Sequence, residues 1–358
     1  MKKILCLILA LAMVMSFAAC GEKSPANSPA DSGDAAGEVV THGDYSWNTA
    51  NIGEHKFILA HGLAETSLSG QQYHEFAVAV NELSGGKMVV EERVAGTLVA
   101  DAETLNAVMN GEIDFCHNMS ANASGTIADL SPLTVPGYYG GNDWLGFANA
   151  TYDVLSEIYA EYNIKYVRPV CQGNSGLVCT EHNIKVPSDA KGLTFRASGT
   201  WISKAVDQWG GAAVTMGLPD LADGLSKGTV SGTITAMSVI IPFKLYEVAP
   251  YVTYTSLSES FAALLMNADT WKSLNADEQA LIEAAGVIFM EKSYELASGA
   301  QEGFVKTIED SGLCTTHTLS DEEQAQFIAV THGLFDEMKG TMGEKGAKLV
   351  EVLAELNG

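Results

Sequence analysis

The chain has 358 residues, 47% of them hydrophobic, which is enough to bury the cores of two lobes. Its 20 Lys and Arg stand against 44 Asp and Glu, giving a formal net charge of −24. Such acidity argues against nucleic acid as a partner and against electrostatic adhesion to anionic lipid. It does not argue against an anionic small molecule, because one buried arginine sets a local field that outweighs distant surface acids.

The first 19 residues have the pattern of a bacterial signal peptide. Two lysines precede an apolar run, Ile4–Val14, that is too short to span a bilayer comfortably. Small residues then lead into Cys20, an arrangement that resembles a lipobox. We expect Cys20 to become the acylated first residue of a protein held on the outer face of the cytoplasmic membrane. The alternative is an ordinary secreted protein cut near Ala19.

After the signal peptide (1–19), residues 20–50 are expected to form the lipidated cysteine and a disordered tether. Small, polar and acidic residues dominate positions 21–44, and they cannot bury enough apolar surface to offset the conformational entropy of folding. The folded body is predicted over residues 51–358. No later stretch is apolar for long enough to cross a membrane as a helix.

Strand-like and helix-like segments alternate along the body. The first set consists of strands at Lys56–Ala60, Lys87–Glu92 and Ile113–Phe115, with helices at Gln71–Leu83 and Ala102–Met109 between them. This βαβαβ order predicts a parallel sheet covered by helices.

A second set of the same kind begins after Gly192. It has strands at Thr194–Arg196, Ala212–Met216 and Gly232–Ala236, and helices at Ile202–Trp209 and Asp220–Ser226. Two such units predict two α/β lobes with a cleft between them. Ligands of parallel sheets bind beyond the carboxyl ends of the strands, so we expect the turns after these strands to line the cleft.

The last third of the chain is predicted to be helical. Asn275–Glu278 has the spacing of a capping box and begins a helix that reaches about Leu296 or beyond, and Ser320–Glu323 begins another. A helix this long either braces both lobes or caps one of them, and its periodicity does not choose between the two.

Four cysteines follow Cys20. Cys171 and Cys179 flank a Gly-Asn-Ser-Gly segment, so they either bridge a hairpin or remain buried thiols. Their spacing is not that of a metal site, and we expect no metal and no cofactor. The sequence also lacks G-x-S-x-G, H-E-x-x-H and a clustered Cys/His set, so an extracellular hydrolase is disfavoured and we predict that the protein is not an enzyme.

Segments along nearly the whole body are similar to the DctP-type solute receptors of bacterial TRAP transporters. Asp189–Arg196 resembles the family's "DLKGLKIR"-like strand. Other segments follow in the family's order: Gly85–Glu92, Gly96–Leu98, Asn110–Asp114, Trp209–Met216, Leu225–Gly228, Val230–Gly232, Phe243–Thr253 and Leu274–Gln279. The resemblance implies a two-lobe periplasmic-binding-protein-like α/β fold in which a long helix braces both lobes.

The resemblance also implies what the protein binds. The arginine at the position of Arg196 pairs with a solute carboxylate in that family, and a planar guanidinium suits two parallel hydrogen bonds to a carboxylate. The structural alternative for Arg196 is an inter-lobe salt bridge. The implied partners are a small organic acid and the small and large TRAP membrane subunits. A receptor that serves a signalling system remains an alternative, since the same lobes can dock either partner.

Seven further residues are candidate solute contacts. His61 and Asn118 are expected just after strands, Asn174 is a contact or a turn former, and Trp201, Met237 and Phe261 form an apolar wall or belong to the core. Thr235 stands where the family often has a ligand-contacting Asn.

The chain departs from the family pattern at three other places. Gly176 replaces a second arginine, no aromatic lies near Leu218, and Pro136–Gly141 replaces an apolar run. The departures leave the ligand itself unnamed.

Overall fold

The computed structural model describes residues 37–140, 143–257 and 261–357. Its strands are, in chain order, β1 (Val39–His42), β2 (Tyr45–Asn48), β3 (His55–Ala60), β4 (Met88–Arg93), β5 (Phe115–Met119), β6 (Ile164–Val170), β7 (Ser175–Cys179), β8 (Thr194–Ala197), β9 (Ala212–Thr215), β10 (Gly232–Ala236), β11 (Tyr251–Thr255), β12 (Ala262–Asn267) and β13 (Thr315–Thr318).

The helices are, in chain order, α1 (Leu68–Leu83), α2 (Thr104–Asn110), α3 (Ser120–Ala123), α4 (Trp144–Ala160), α5 (Thr200–Gln208), α6 (Leu221–Ser226), α7 (Met237–Ile240), α8 (Leu245–Val248), α9 (Ala268–Ser273), α10 (Ala276–Asp310), α11 (Asp321–Met338) and α12 (Glu344–Asn357). None of these described helices is both long enough and apolar enough to span a membrane.

The folded body begins earlier than the sequence predicted. β1 and β2 form an antiparallel hairpin, and Trp47 in β2 is only 1% exposed within the apolar core of the first lobe. The predicted tether over residues 20–50 was therefore too long. The apolar residues of this segment that pack on the core, such as Val40 and Trp47, are separated by polar residues and give no clear strand pattern. The predicted signal peptide and Cys20 lie outside the described residues.

The first lobe is built on a five-stranded sheet in the order β4-β3-β5-β12-β6. β3, β4 and β5 are parallel, as the βαβαβ pattern predicted. β12 arrives from much later in the chain and pairs antiparallel with both β5 and β6. The lobes are therefore interleaved in sequence, and the first sheet is mixed rather than wholly parallel.

The second lobe is built on a six-stranded sheet in the order β13-β11-β7-β10-β8-β9. β8 is parallel to β9 and to β10, whereas β7 runs antiparallel to β10 and β11. Cys171 directly follows β6 of the first sheet and Cys179 lies in β7 of the second, so they do not face each other across a hairpin. Both thiols are buried and free, and the bridged alternative is wrong.

The 35 residues of α10 make it about 50 Å long, enough to cross both lobes. Asn275 caps it in the predicted capping box. Near its start Leu281 and Phe289 pack in the apolar core of the first lobe, and near its end Ile308 packs in the cluster beneath the second sheet. The prediction of a bracing helix is confirmed.

A partly buried ion cluster fastens α10 to the first sheet. Glu283 of α10 accepts from Arg168 at 2.9 Å and from Lys165 at 2.6 Å, and both cations lie in β6. Arg168 also donates to the Tyr45 hydroxyl at 2.9 Å and lies 4.1 Å from the centroid of the Tyr152 ring. Each charged group of the cluster contacts an oppositely charged group within the fold, which is the condition under which buried ions are tolerated.

A buried histidine links three elements of the first lobe. The Tyr73 hydroxyl of α1 donates to the carbonyl of Ala263 in β12 at 3.1 Å and lies 2.8 Å from Nδ1 of His117 in β5. Because the tyrosine proton is used by Ala263, the Nδ1–H of His117 donates to Tyr73. Burial lowers the pKa of His117 to about 4, partly opposed by Asp101 and reinforced by His61.

We predict that replacing His117 flattens the acid dependence of stability. In the fold His117 stays neutral down to about pH 4, whereas in the unfolded chain it protonates near 6.5, so acidification between these values favours unfolding. His117→Gln should lower stability at pH 7.5 but lose on the order of 2 kcal/mol less than the parent between pH 7.5 and 4.5. Urea unfolding at several pH values measures this.

The control is Asn106→Gln, an exposed position on α2 where no titrating group is removed. It should leave the pH dependence of the parent unchanged. Equal acid losses in His117→Gln and the parent would show that the His117 ring does not titrate as the structure indicates.

Candidate ligand-binding site

The carboxyl ends of the parallel strands in both sheets lie where the chain crosses between lobes. β6 runs in the same direction as β5, because both are antiparallel to β12, and β6 ends at Val170 just before the crossing. β7 starts directly after the crossing and is antiparallel to β10 and β11, so the carboxyl ends of those strands lie at the start of β7. The two ligand-binding edges therefore meet at residues 171–174.

His61 lies at the first-lobe edge, directly after β3, and is fully buried. Its ring centroid is 5.4 Å from that of Tyr73, and neither ring nitrogen forms a hydrogen bond of normal geometry with the described residues. Burial lowers the pKa of His61, although Glu92, the backbone of Leu63 and Asp101 each act to raise it. The imidazole is therefore neutral at pH 7, with one donor and one acceptor nitrogen.

Asn118 lies within β5, paired with Ala263, and not after the strand as predicted. The strand begins later than predicted, because Asp114 lies before β5 and its carboxylate accepts from the backbone N–H of Ile58 at 2.8 Å. Asn118 is 1% exposed, and both its side-chain oxygen and its side-chain nitrogen lack a partner among the described residues. A buried polar group without a partner costs about 1–3 kcal/mol, so such groups call for an explanation.

Arg196 lies at the second-lobe edge, in β8, and is 8% exposed. Its Nε donates to the carbonyl of Met216, just beyond β9, at 3.0 Å. Arg196 pairs in register with Thr233 of β10, and Thr235 lies two residues further along the same face. The strand geometry thus places the predicted residues Arg196 and Thr235 on one face, near the carboxyl ends of their strands.

A cavity of about 590 Å³ lies between the segments that follow β5 and β8. Its lining residues come from α3 and the 3₁₀ turn Ala128–Thr134 on one side, and from Ser198 and the start of α5 on the other. Trp201 lines it, and the Lys204 ammonium lies 4.4 Å from the Trp201 ring centroid and pairs with Glu337. The segments after the strands of Asn118 and Arg196 therefore face each other across one space.

Sequence reasoning missed the hydroxyl groups of this cavity, on Ser124, Ser131, Thr134, Ser198, Thr200 and Thr341. Single Ser and Thr residues carry no spacing signal. Only their position after predicted strands could have indicated them.

Three predicted residues have other surroundings. Met237 is 1% exposed within the apolar cluster beneath the second sheet. Phe261 is 3% exposed, with its ring centroid 6.3 Å from that of Phe147. Asn174 is exposed in the crossing segment, where its backbone carbonyl accepts from the Met237 N–H at 3.1 Å. It lines a smaller cavity of about 270 Å³ beside Ser256.

Packing explains the glycine at position 176, which replaces a second arginine of the family pattern. A Cβ at this position would lie 2.6 Å from Cδ1 of Ile240 and 3.0 Å from Sδ of Met237. A side chain at residue 176 therefore requires both neighbours to move. Among the described residues no group of three or more His, Cys, Asp and Glu is arranged to hold a metal ion.

Comparison with known proteins agrees with this architecture. The family model for DctP, bacterial extracellular solute-binding protein, family 7, matches residues 59–341. The chain is 23% identical over 311 residues to the C4-dicarboxylate-binding protein DctB of Bacillus subtilis, covering 84% of this chain and 86% of the relative.

Two solved structures share the fold. A TRAP periplasmic solute-binding protein from Ochrobactrum anthropi has a TM-score of 0.78 at 20% identity, covering 86% of this chain and 97% of that one. The ectoine-binding protein TeaA of the TeaABC TRAP transporter of Halomonas elongata, in its apo state, has a TM-score of 0.77 at 20% identity, covering 85% and 100%.

These relatives are solute-binding proteins and not enzymes. The two-lobe fold is shared with them, and the family model extends over most of the described body. The chain belongs to the DctP family of bacterial extracellular solute-binding proteins, the solute receptors of TRAP transporters.

Proposed function

We propose that the protein captures a small solute with a carboxylate outside the cytoplasm and delivers it to the small and large membrane subunits of a TRAP transporter. The observation that carries this proposal is the position of Arg196, a nearly buried guanidinium near the carboxyl end of β8. Guanidinium forms two parallel, charge-assisted hydrogen bonds with a carboxylate, and it does so best where water is excluded. A relative named for C4-dicarboxylates supports the same class of solute.

The opposite edge of the cleft supplies the second half of the site. His61 and Asn118 are buried, and among the described residues their side-chain nitrogens and the Asn118 oxygen lack partners. A solute held between the two edges would give these groups the hydrogen bonds that the described chain does not. Trp201 would add an apolar face at the rim of the inter-lobe cavity.

Lobe closure completes the mechanism. The lobes are joined by residues 171–174, by the return from β11 to β12, and by α10. The first two of these links are short and permit rotation of one lobe against the other, and a solute that contacts both lobes favours the closed arrangement. The closed form then presents the surface that the membrane subunits recognise.

Arg196 variants test the carboxylate assignment. The chain from residue 21 is screened by thermal shift against organic acids, amino acids, sugars and nucleosides, since a ligand at 100 times its Kd stabilises a fold by about 2.7 kcal/mol. We expect the stabilising compounds to be carboxylates, Arg196→Ala to weaken their binding by about 100-fold, and Arg196→Lys to restore little of it.

Lys227→Ala is the control, because it removes a charge of the same sign from a side chain that is 70% exposed and paired with Asp223. It should leave Kd unchanged. Unaltered affinity in Arg196→Ala would remove Arg196 from the site, and stabilisation by uncharged compounds alone would remove the carboxylate from the solute.

Closure predicts a change of shape. Small-angle scattering should give a smaller radius of gyration when the parent is saturated with a stabilising compound, because the lobes rotate together. Arg196→Ala at the same compound concentration serves as the control and should keep the larger radius. A radius that does not respond to the compound in the parent would contradict closure.

We also propose that Cys20 is acylated and anchors the protein to the outer face of the cytoplasmic membrane. Support comes from the apolar segment and small residues before Cys20, together with the extracellular character of the family. Cys20→Ser should move the protein from the membrane fraction to the soluble extracytoplasmic fraction, with Cys314→Ser as the control. A parent protein found only in the soluble fraction would contradict the anchor.

A further inference from the structure

We infer that the site selects solutes with a single carboxylate, whose far end is an uncharged hydrogen-bonding group, against dicarboxylates. The inference rests on the proposed function, because it assumes that Arg196 holds the carboxylate. It differs from what the relative named for C4-dicarboxylates would suggest.

Three cations of the first lobe are engaged in ion pairs within the fold. Arg168 and Lys165 pair with Glu283, and Arg93 pairs with Glu91 at 2.7 Å. Releasing Arg168 to a solute would leave Glu283 buried beside one lysine instead of two cations, and breaking a buried ion pair is costly. A second carboxylate thus finds no readily available cation among the described residues of this edge.

The first-lobe edge instead offers neutral groups. Asn118 presents an amide with donors and an acceptor, and neutral His61 presents one of each. Both side chains are buried and without partners in the described structure. A hydroxyl or carboxamide donates and accepts at once and can satisfy them, whereas a carboxylate only accepts and would leave the Asn118 side-chain oxygen and the acceptor nitrogen of His61 without a donor.

Nearby acids strengthen the selection. Asp101 accepts from the N–H of Gly62, the residue next to His61, at 3.2 Å. Glu92 lies near the carboxyl end of β4, close to this edge, and pairs with His74 at 2.7 Å. Both carboxylates oppose the lowering of the His61 pKa that burial causes. A second solute carboxylate would be desolvated beside like charges, which is unfavourable.

Matched pairs that differ by one charge test the inference. The Kd values of the chain from residue 21 are measured by calorimetry at pH 7.5 for succinamate and succinate, glutamine and glutamate, and galactonate and galactarate. We expect the member with one carboxylate to bind at least tenfold more tightly in each pair that binds. Equal or tighter binding of the dicarboxylate overturns the inference but leaves the proposed function intact, and failure of all six probes counts against both.

Asn118→Leu locates the selection in the first lobe. The substitution removes the amide at similar volume, so the fold should be as stable as the parent or more stable, since a buried unpartnered group is lost. Binding of the preferred single-carboxylate probe should weaken at least tenfold, and the preference within the pair should fall. The control is Asn106→Leu on the exposed face of α2, which should change neither Kd nor Tm. An unchanged Kd in Asn118→Leu would overturn the inference.

Discussion

The crossing between lobes is the constraint on which the site depends. The chain leaves β6 at Val170 and enters β7 at Ser175, so only residues 171–174 separate the two sheets. Because β7 is antiparallel to β10 and β11, this short link brings the carboxyl ends of both parallel sets to one place. In the proposed function, Arg196 from one lobe and His61 and Asn118 from the other would contact one solute, while α10 keeps the lobes attached.

Two kinds of buried polar group occur in the first lobe. Around Glu283 each charge has a partner within the fold, and the cluster fixes α10 to β6. At the edge of the first lobe His61 and Asn118 are more deeply buried, and their side-chain polar atoms lack hydrogen-bond partners among the described residues. Folding tolerates a cost of about 1–3 kcal/mol per group only when other interactions offset it, and natural proteins accept such costs mainly at functional sites.

Features with a local cause were predictable from the sequence. The capping boxes at Asn275 and Ser320 satisfy backbone N–H groups within one turn, and β8 with Arg196 is marked by its own motif. Features with a distant cause were not predictable. The pairing of β12 with β5 joins residues far apart in the chain, which placed Asn118 inside a strand, and the burial of Trp47 needs a core formed mainly by later residues.

A structure of the protein with a bound single-carboxylate solute tests the account most directly. The account predicts both carboxylate oxygens at about 2.7–2.9 Å from the Arg196 guanidinium, with the uncharged end hydrogen-bonded to His61 or Asn118 across the cleft. A solute that contacts one lobe only, or that occupies the smaller cavity beside Asn174 and Ser256, would contradict it.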